Sequence, residues 1–446
     1  MNLATLFELA RPRSATDRSR FRLLVATIAI AGAFLLAAWR IKRLGFRGYY
    51  YSDQYSDYIQ EDGIRTGVAF AAVLLAVASC LLAFQALKLG TAARDRRLGA
   101  FRLAGATPNQ VRALGAVDAG IAGLIGGLLT GPLYLLLALA IQTLPRTARM
   151  LPPANSVDLA TWPIVAVVLA VAAAIVGALL GRGVVAEPRE RPAKTANVTR
   201  AAVACAVGIG LVLLSGLVYR ASSSFLVLIG LGLVVVCLAL PTVLVAWQGN
   251  RLERSGNPLK VLAGGRLLRT VRPHARTLAL LVLCGTALGF VGAMGFESLR
   301  PKSYSYDTAF YVPGLVFAAG AAVFIALIAG ISLLAGTADD LLDQRRQLAA
   351  LNVLGVGEAQ LRASVRYQLT AGITWAVACG LLIGGVLYAH LSSIGSYSPD
   401  QSLGLLVTAG VAVVGAGLAW LVGAAAAFLL RGHVHEAAAP ENLRST

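Results

Sequence analysis

The residues whose types and spacing could do chemistry form two copies of one charged segment. Residues 94–113, RDRRLGAFRLAGATPNQVRA, align without gaps with residues 344–363, QRRQLAALNVLGVGEAQLRA. The identical pairs are Arg96/Arg346, Leu98/Leu348, Ala100/Ala350, Gly105/Gly355, Gln110/Gln360, Arg112/Arg362 and Ala113/Ala363. Each copy lies between two long apolar runs. This repetition indicates a binding surface that is presented twice to something soluble, and we name the copies the first and second connector.

Catalysis and metal binding are not predicted for this chain. His433 and His435 form the sequence HVHE with one acid, but the tail around them offers no further ligands and is expected to be solvated. The five cysteines lie inside apolar runs without CxxC spacing, which is typical of packing residues: Cys80, Cys205, Cys237, Cys284 and Cys379. Since no nucleophile–His–acid set occurs, we predict that the chain is not an enzyme.

Composition indicates that membrane-spanning helices position the connectors. The chain of 446 residues is 57% hydrophobic and 13% charged, against roughly 25% charged in a soluble domain, and its mean hydropathy is +0.73. A span needs about 20 apolar residues. Ten runs predict ten transmembrane helices, at approximately 22–41, 64–90, 111–142, 159–182, 199–219, 224–247, 276–297, 313–336, 364–390 and 403–430.

The distribution of lysine and arginine predicts the orientation of these spans. With both termini cytoplasmic, most of the 39 Lys and Arg residues fall in inside segments. The outside exceptions include Arg40, Lys42, Arg43 and Arg47, which acids of the same loop are expected to offset: Asp53, Asp57, Glu61 and Asp62. We predict a multi-pass protein of a bacterial plasma membrane, with its termini and both connectors on the cytoplasmic side.

The connectors divide the chain into two related halves. Because six spans separate them, both copies face the same side, and the internal repeat is parallel. The predicted fold is an all-α polytopic membrane protein with ten helices arranged 4+2+4 and no large extracellular domain. The predicted segments are an amphipathic N-terminal segment (1–21), a four-helix module (22–184), basic linkers (185–275) around a transmembrane hairpin (199–247), a second four-helix module (276–430) and a cytoplasmic tail (431–446).

Each connector is predicted to contain a short amphipathic helix, a sharp turn and the start of the next span. Gly105 suits the left-handed residue that ends a helix. Thr107 then fits an N-cap, Pro108 the first helical position and Gln110 the far end of a capping box. The second connector offers Gly357-Glu358-Ala359-Gln360 at the same place. Two packed turns with exposed arginines would form a rigid handle, whereas the simpler alternative is a basic loop against lipid headgroups.

Both connectors resemble the signature connector of FtsX/MacB-type ABC transporter permeases, basic-Glu-Ile-Ala-x-Leu-Arg-x-Leu-Gly-Ala-Ser. The matching residues are Arg96, Leu98, Arg102 and Gly105-Ala106-Thr107 in the first copy, and Arg346, Leu348-Ala349, Leu351 and Leu354-Gly355 in the second. The 4+2+4 plan resembles the ten-span branch of that family, with two FtsX-like modules in one chain. The sequence departs from the pattern where Arg97 and Gln347 replace the usual Glu, and it lacks the large extracellular domain of MacB-like members.

The resemblance implies that each connector docks on a separate ABC ATP-binding subunit, with two copies per permease. The chain contains no G-x-x-x-x-G-K-[ST] pattern, and none of its five lysines follows a glycine. ATP and Mg are therefore expected in the partner ATPase and no cofactor in this chain. The predicted coupling contacts are Arg94, Arg96, Arg97, Phe101 and Arg102, with Arg345, Arg346, Gln347 and Leu351.

Glycine and tyrosine spacing supplies two further predictions. Small residues every four positions predict close helix packing in spans 3 and 9, at Gly123, Gly127 and Gly131, and at Ala376, Gly380 and Gly384. These spans either slide under the pull of their connectors or pack statically. Outer tyrosines indicate either an aromatic belt or recognition of an amphiphile or extracellular protein: Tyr49, Tyr50, Tyr51, Tyr55, Tyr58, Tyr304, Tyr306 and Tyr311.

Three functions are considered for a membrane protein with these features. The leading one is the permease subunit of an ATP-driven ABC transporter that moves or extracts an amphiphilic lipid, peptide or drug. The alternative is a non-transporting mechanical relay that controls an extracellular enzyme or a sensor kinase. An ion-coupled carrier is disfavoured because the acids of the spans, Asp118 and Glu297, lie near span ends rather than at the midplane. No nucleic-acid partner is expected, since the basic charge follows the loops.

Overall fold

The computed structural model describes residues 15–44, 54–88, 107–185, 197–218, 225–269, 271–299, 305–394 and 401–443, whose regular elements are helices. Ten of these helices are long and apolar enough to cross a membrane, which confirms the predicted number of spans. A helix satisfies its backbone hydrogen bonds within one segment, as the water-free interior of a bilayer requires. Most of the predicted N-terminal segment lies outside the described residues.

The chain divides into two compact units, residues 1–191 and 192–446. Unit 1 contains α1 (Ala15–Lys42), the short α2 (Asp57–Gln60), α3 (Asp62–Lys88), α4 (Pro108–Gln142) and α5 (Ser156–Val185). Unit 2 contains α6 (Val198–Val218), α7 (Phe225–Glu253), α8 (Pro258–Arg269), α9 (Val271–Ser298), α10 (Ser305–Asp343), α11 (Arg345–Val353), α12 (Glu358–Ile394), α13 (Gln401–Leu429) and α14 (Arg431–Ala438).

In unit 1, α4 is held closely against α5 by the glycine stripe. A Cβ atom added to Gly127 would lie 2.7 Å from Cα of Ala166, and one added to Gly123 would lie 2.9 Å from Cα of Ala170. Gly131 lies against the ring of Trp162, whose Nε1 donates to the carbonyl oxygen of Gly127 at 2.9 Å. Such backbone contact maximises van der Waals packing between helices in a bilayer.

In unit 2, α12 packs between α9 and α13. Gly380 and Gly384 face α9, where a Cβ atom added to Gly285 would lie 3.0 Å from the carbonyl oxygen of Val377. The hairpin formed by α6 and α7 is part of this unit, because α7 contacts α8, α9 and α12. One apolar core extends from these spans to the second connector and the tail, and it includes Val282, Leu348, Leu361 and Val434.

The two glycine stripes do not occupy equivalent helix faces. The connector alignment pairs each residue of the first copy with the residue 250 positions later. Continued along the spans, this register pairs Gly380 with Thr130, which contacts α1 through the carbonyl of Ala29, not with Gly127 or Gly131. The stripe of α4 therefore faces α5, whereas the stripe of α12 faces α9.

A buried carboxylate balances the arginines at the end of unit 1 opposite the first connector. Asp158 is 1% exposed, and its carboxylate lies 2.8 Å from the guanidinium of Arg43 and 3.5 Å from Nε of Arg40. It also accepts from the hydroxyl of Tyr134 at 3.1 Å and from the backbone N–H of Asn155 at 2.8 Å. Arg40 and Arg43 thus form their ion pairs with an acid more than 100 residues away, whereas the sequence predicts only that acids of their own loop offset their charge.

The first fold prediction concerns Asp158. Replacing it with Asn should lower the free energy of unfolding by about 3–5 kcal/mol, because two guanidinium groups would lose the charge that compensates them in a buried site. Thermal unfolding of the detergent-solubilised protein measures this loss. Asp57→Asn is the matched control, because Asp57 pairs with Arg146 at a more exposed site, where about 0–1 kcal/mol is expected. Equal effects of the two substitutions would contradict the account.

The second fold prediction concerns the close contact between α4 and α5. Gly127→Ala should destabilise the protein by about 1–3 kcal/mol, because the new methyl group overlaps the backbone of Ala166. Gly67→Ala in α3 is the control, since among the described residues no atom beyond its neighbours and its own helix backbone lies within 4 Å of the added Cβ there. That variant should be neutral or slightly more stable, as the helix propensity of alanine dictates. If Gly127→Ala unfolded at the wild-type midpoint, α4 and α5 could move apart without loss of stability, which would contradict this prediction.

Candidate functional site

The second connector is a short helix set between two spans. Span α10 runs on to Asp343, and a break at Gln344, whose φ is −91° and ψ 11°, separates it from α11. Leu348 and Ala349 of α11 are fully buried, whereas Arg346 and Gln347 are exposed. The helix is therefore amphipathic, as predicted, and its apolar face joins the core of unit 2.

Gly355 ends this helix in the left-handed conformation, with φ of +96°. The N–H of Val356 donates to the carbonyl of Leu351 at 3.0 Å, and that of Gly355 donates to the carbonyl of Asn352 at 3.0 Å. These two bonds are those of a Schellman motif, which satisfies the last carbonyls of a helix. The sharp turn predicted for the connectors is thus confirmed in the second copy, and α12 begins directly after it at Glu358.

The first connector is described only from Thr107 onward, where α4 begins. The side chain of Thr107 accepts from the N–H of Gln110 at 3.4 Å, and the side chain of Gln110 accepts from the N–H of Thr107 at 2.9 Å. Pro108 occupies the first helical position, so the predicted capping box is confirmed. The coupling residues predicted in this copy lie outside the described residues: Arg94, Arg96, Arg97, Phe101 and Arg102.

The tail folds back onto the second connector rather than being solvated on all sides. Val434 and Ala437 of α14 are buried in the core that also contains Leu348. Asn352 of the connector donates to the carbonyl of Ala438 at 3.0 Å, and His435 lies 3.2 Å from the carboxylate of Glu358. The part of the chain that the structure describes holds no group of three His, Cys, Asp or Glu side chains placed to bind a metal.

Two apolar side chains at the tip of the connector were missed by the sequence reasoning. Val353 is 63% exposed and Leu354 is 80% exposed, immediately before Gly355. Exposed apolar side chains beside Arg346 and Gln347 form a surface suited to another protein. Leu354-Gly355 belongs to the connector motif, so the motif itself could have pointed to Leu354, but Leu351 is the apolar residue predicted for coupling in this copy. We name Arg346, Gln347, Val353 and Leu354 the connector tip.

The other residues predicted for coupling or recognition differ in how exposed they are. Arg345 is partly buried, and Leu351 packs against the core, so its side chain is less accessible than the connector tip. Tyr55 and Tyr58 are half-buried and Tyr311 is exposed. Tyr49, Tyr50, Tyr51 and Tyr304 lie outside the described residues, as does the side chain of Tyr306.

A small cavity of about 20 Å³ with both polar and apolar lining residues lies behind the connector. Arg266, Thr337, Asp340, Gln344 and Gln368 contribute to its lining. Burial lowers the pKa of the Arg266 guanidinium from its usual range, although the group stays protonated at neutral pH. The volume suits a single water molecule and is far too small for an amphiphile. This cavity is therefore part of the connector's support and not a substrate site.

The left-handed turn generates a prediction. Gly355→Ala should destabilise the protein by about 1–2 kcal/mol, because an L-residue with a Cβ atom is strained at positive φ. Gly336→Ala in α10 is the control, since that glycine has open space around its added Cβ. The control should be neutral or slightly stabilising. Unfolding midpoints in detergent measure both, and a neutral Gly355→Ala would contradict the assigned turn.

Comparison with known proteins assigns part of the chain to a family. Residues 68–186 match the model of the FtsX-like permease C-terminal domain. The matched segment runs from α3 through the first connector and α4 to the end of α5. No curated protein and no solved structure matches the chain. Residues 68–186 therefore carry an FtsX-like permease domain, as the resemblance of the first connector predicts, and this match supports an FtsX/MacB-type permease, the membrane component of an ABC-type system.

Proposed function

We propose that this chain is the permease subunit of an ATP-driven ABC transporter that moves or extracts an amphiphilic substrate. Separate ATPase subunits would bind the connectors, hydrolyse ATP and move the attached spans. The observation that carries the proposal is the geometry of the second connector. A rigid helix with an exposed apolar and polar tip stands between two long spans, and the family match covers the first connector.

The second connector is anchored so that force at its tip reaches the spans. Its buried face is fixed in the core by Leu348, its end is joined to α12 by the Schellman motif, and Asn352 is bonded to the tail. Beyond the connector, α12 contacts α9 along Gly380 and Gly384. A displacement of the tip would therefore move α12 and α9 together, since closely packed helices resist local deformation.

The two helices that flank the first connector are both linked to α1 near that connector. Arg20 of α1 donates from Nε to the carbonyl of Ala86 in α3 at 3.1 Å. Its guanidinium also lies 3.6 Å from the carboxylate of Asp118 in α4. Because α3 and α4 flank the first connector, Arg20 links α1 to both ends of that segment. We propose that this connector acts on unit 1 as the second acts on unit 2, with one ATPase subunit on each.

The amphiphilic nature of the cargo rests on the apolar surfaces of the spans. Leu139 and Val168 of unit 1 and Val413 of unit 2 are more than half exposed, so both units offer apolar surface to lipid or to a molecule dissolved in it. Energy from ATP in a partner fits this chain, which has no phosphate-binding loop of its own. A mechanical relay without transport is the alternative function, and the experiment below distinguishes it from transport.

The connector tip generates the functional prediction. Leu354→Glu should weaken binding of the proposed ABC ATP-binding subunit by about tenfold or more, because burial of a leucine side chain contributes about 1.5–3 kcal/mol. Arg346→Glu should also weaken binding. Co-purification and affinity measurements on the reconstituted complex measure both effects. Leu299→Glu is the matched control, since Leu299 is 68% exposed and follows α9 at the opposite end of unit 2.

The same preparation separates the candidate functions. The proposal expects two ATPase subunits per chain and movement of a fluorescent lipid or peptide only with ATP. Recruitment with ATP hydrolysis but without movement would support the relay instead. Activity of the chain alone in liposomes would overturn the ATP-driven mechanism. Unchanged recruitment by Leu354→Glu together with Arg346→Glu would remove the docking role of the connector tip.

A further inference from the structure

Three aromatic rings and three cations form two neighbouring groups where α7, α8 and α12 pack together. The indole rings of Trp247 and Trp375 meet edge to face, with centroids 5.4 Å apart. The guanidinium carbon of Arg251 lies 5.5 Å from the ring centroid of Trp247. Around the third ring, Nζ of Lys260 lies 5.6 Å and the guanidinium carbon of Arg366 lies 6.0 Å from its centroid. We name this group the aromatic–cation cluster: Trp247, Arg251, Lys260, Arg366, Tyr367 and Trp375.

The cluster is layered along the spans. Gln248 donates from Nε2 to the carbonyl of Ala371 at 3.1 Å, so α7 and α12 run antiparallel through this contact. With a rise of 1.5 Å per residue, Arg251 lies about 6 Å nearer the connector end of unit 2 than Trp247. By the same rise, Tyr367 lies about 12 Å nearer that end than Trp375. The two tryptophans therefore lie farther from the connector end of unit 2, and the cations lie nearer to it.

The cluster faces outward and its positive charge is not neutralised within the described part of the chain. Trp247 is 45% exposed and Trp375 is 40% exposed, and the side chains of Arg251 and Arg366 are also exposed. Among the described residues, no ion pair joins an acid to Arg251, Lys260 or Arg366. The nearby acid Glu253 lies against Gly265 of α8.

This position identifies the occupant as a lipid rather than a soluble protein. Both tryptophans and two of the three cations belong to membrane-spanning segments, Leu228–Glu253 and Glu358–Ser393. Tryptophan favours the depth of the glycerol and ester groups, and long cationic side chains extend to the phosphate level. A soluble partner would not reach the tryptophan layer, whereas a phospholipid contacts both layers at once.

We propose that the aromatic–cation cluster binds the headgroup of an anionic phospholipid in the leaflet on the connector side. Arg251 and Lys260 would attract the phosphate, and Trp247 and Trp375 would contact the glycerol region and the first acyl carbons. Stacking on the rings holds the cations near the site before a lipid arrives. This site is independent of ATPase binding, so it can exist whether or not the proposed transport function is correct.

Quenching of tryptophan fluorescence by brominated lipids tests the proposal on the full-length protein. In bilayers of matched composition, brominated phosphatidylglycerol should quench more strongly than brominated phosphatidylcholine. The excess should disappear in Trp247→Phe/Trp375→Phe. It should fall in Arg251→Gln and Lys260→Gln because each cation near a charged membrane surface changes lipid affinity by about fivefold. Lys260→Arg should keep the excess because it keeps the charge.

Arg254→Gln is the matched control, since Arg254 is an exposed cation just beyond the end of α7 and outside the cluster. It should keep the wild-type excess. Equal quenching by the two lipids would overturn the proposal, and so would an effect of Arg254→Gln as large as that of Arg251→Gln, which would indicate diffuse attraction. Loss of the excess on addition of inorganic phosphate would overturn the assignment to a lipid, because a free anion would then fill the site. Unfolding midpoints confirm that the variants are folded.

Discussion

The close approach of α12 to α9 is the contact on which the mechanical role proposed for unit 2 depends. Lipid tails are as apolar as leucine, so the hydrophobic effect does little to hold two spans together, and van der Waals contact takes its place. Gly380 and Gly384 on one helix meet Gly285 and Gly289 on the other, and no side chain separates the backbones. A connector that moved α12 would therefore act on a pair of helices. Without this contact the connector would bend one span and leave its neighbour in place.

Local signals made the ends of the connectors predictable. Thr107, Pro108 and Gln110 specify a capping box within four residues, and Gly355 specifies a left-handed turn through its own lack of a Cβ atom. The ten spans were equally predictable, because a run of about 20 apolar residues reports membrane insertion without any tertiary contact. The 4+2+4 arrangement and the parallel repeat remain predictions. The coupling residues of the first connector lie outside the described residues and also remain predictions.

Contacts between distant parts of the chain were not predictable in this way. Asp158 is 115 residues from Arg43, and nothing in its neighbourhood indicates that it is the buried partner of two arginines. The residues of the aromatic–cation cluster come from three helices, and each of them alone looks like an ordinary residue of a membrane–water interface. The side on which a glycine stripe packs was also hidden. The spacing of glycines predicts a close helix contact, but it does not predict which helix is the partner. Gly127 contacts α5, whereas Gly380 contacts α9.

The packing of α14 on the second connector has a consequence for the order of assembly. Leu348 and Asn352 are synthesised before α12 and α13, whereas Val434 and Ala438, which cover and bond the connector, follow the tenth span. The fully covered second connector can therefore exist only after the last two spans have entered the membrane. A partially translated chain presents an uncovered connector, so stable binding of the proposed partner would report that insertion of this unit is complete.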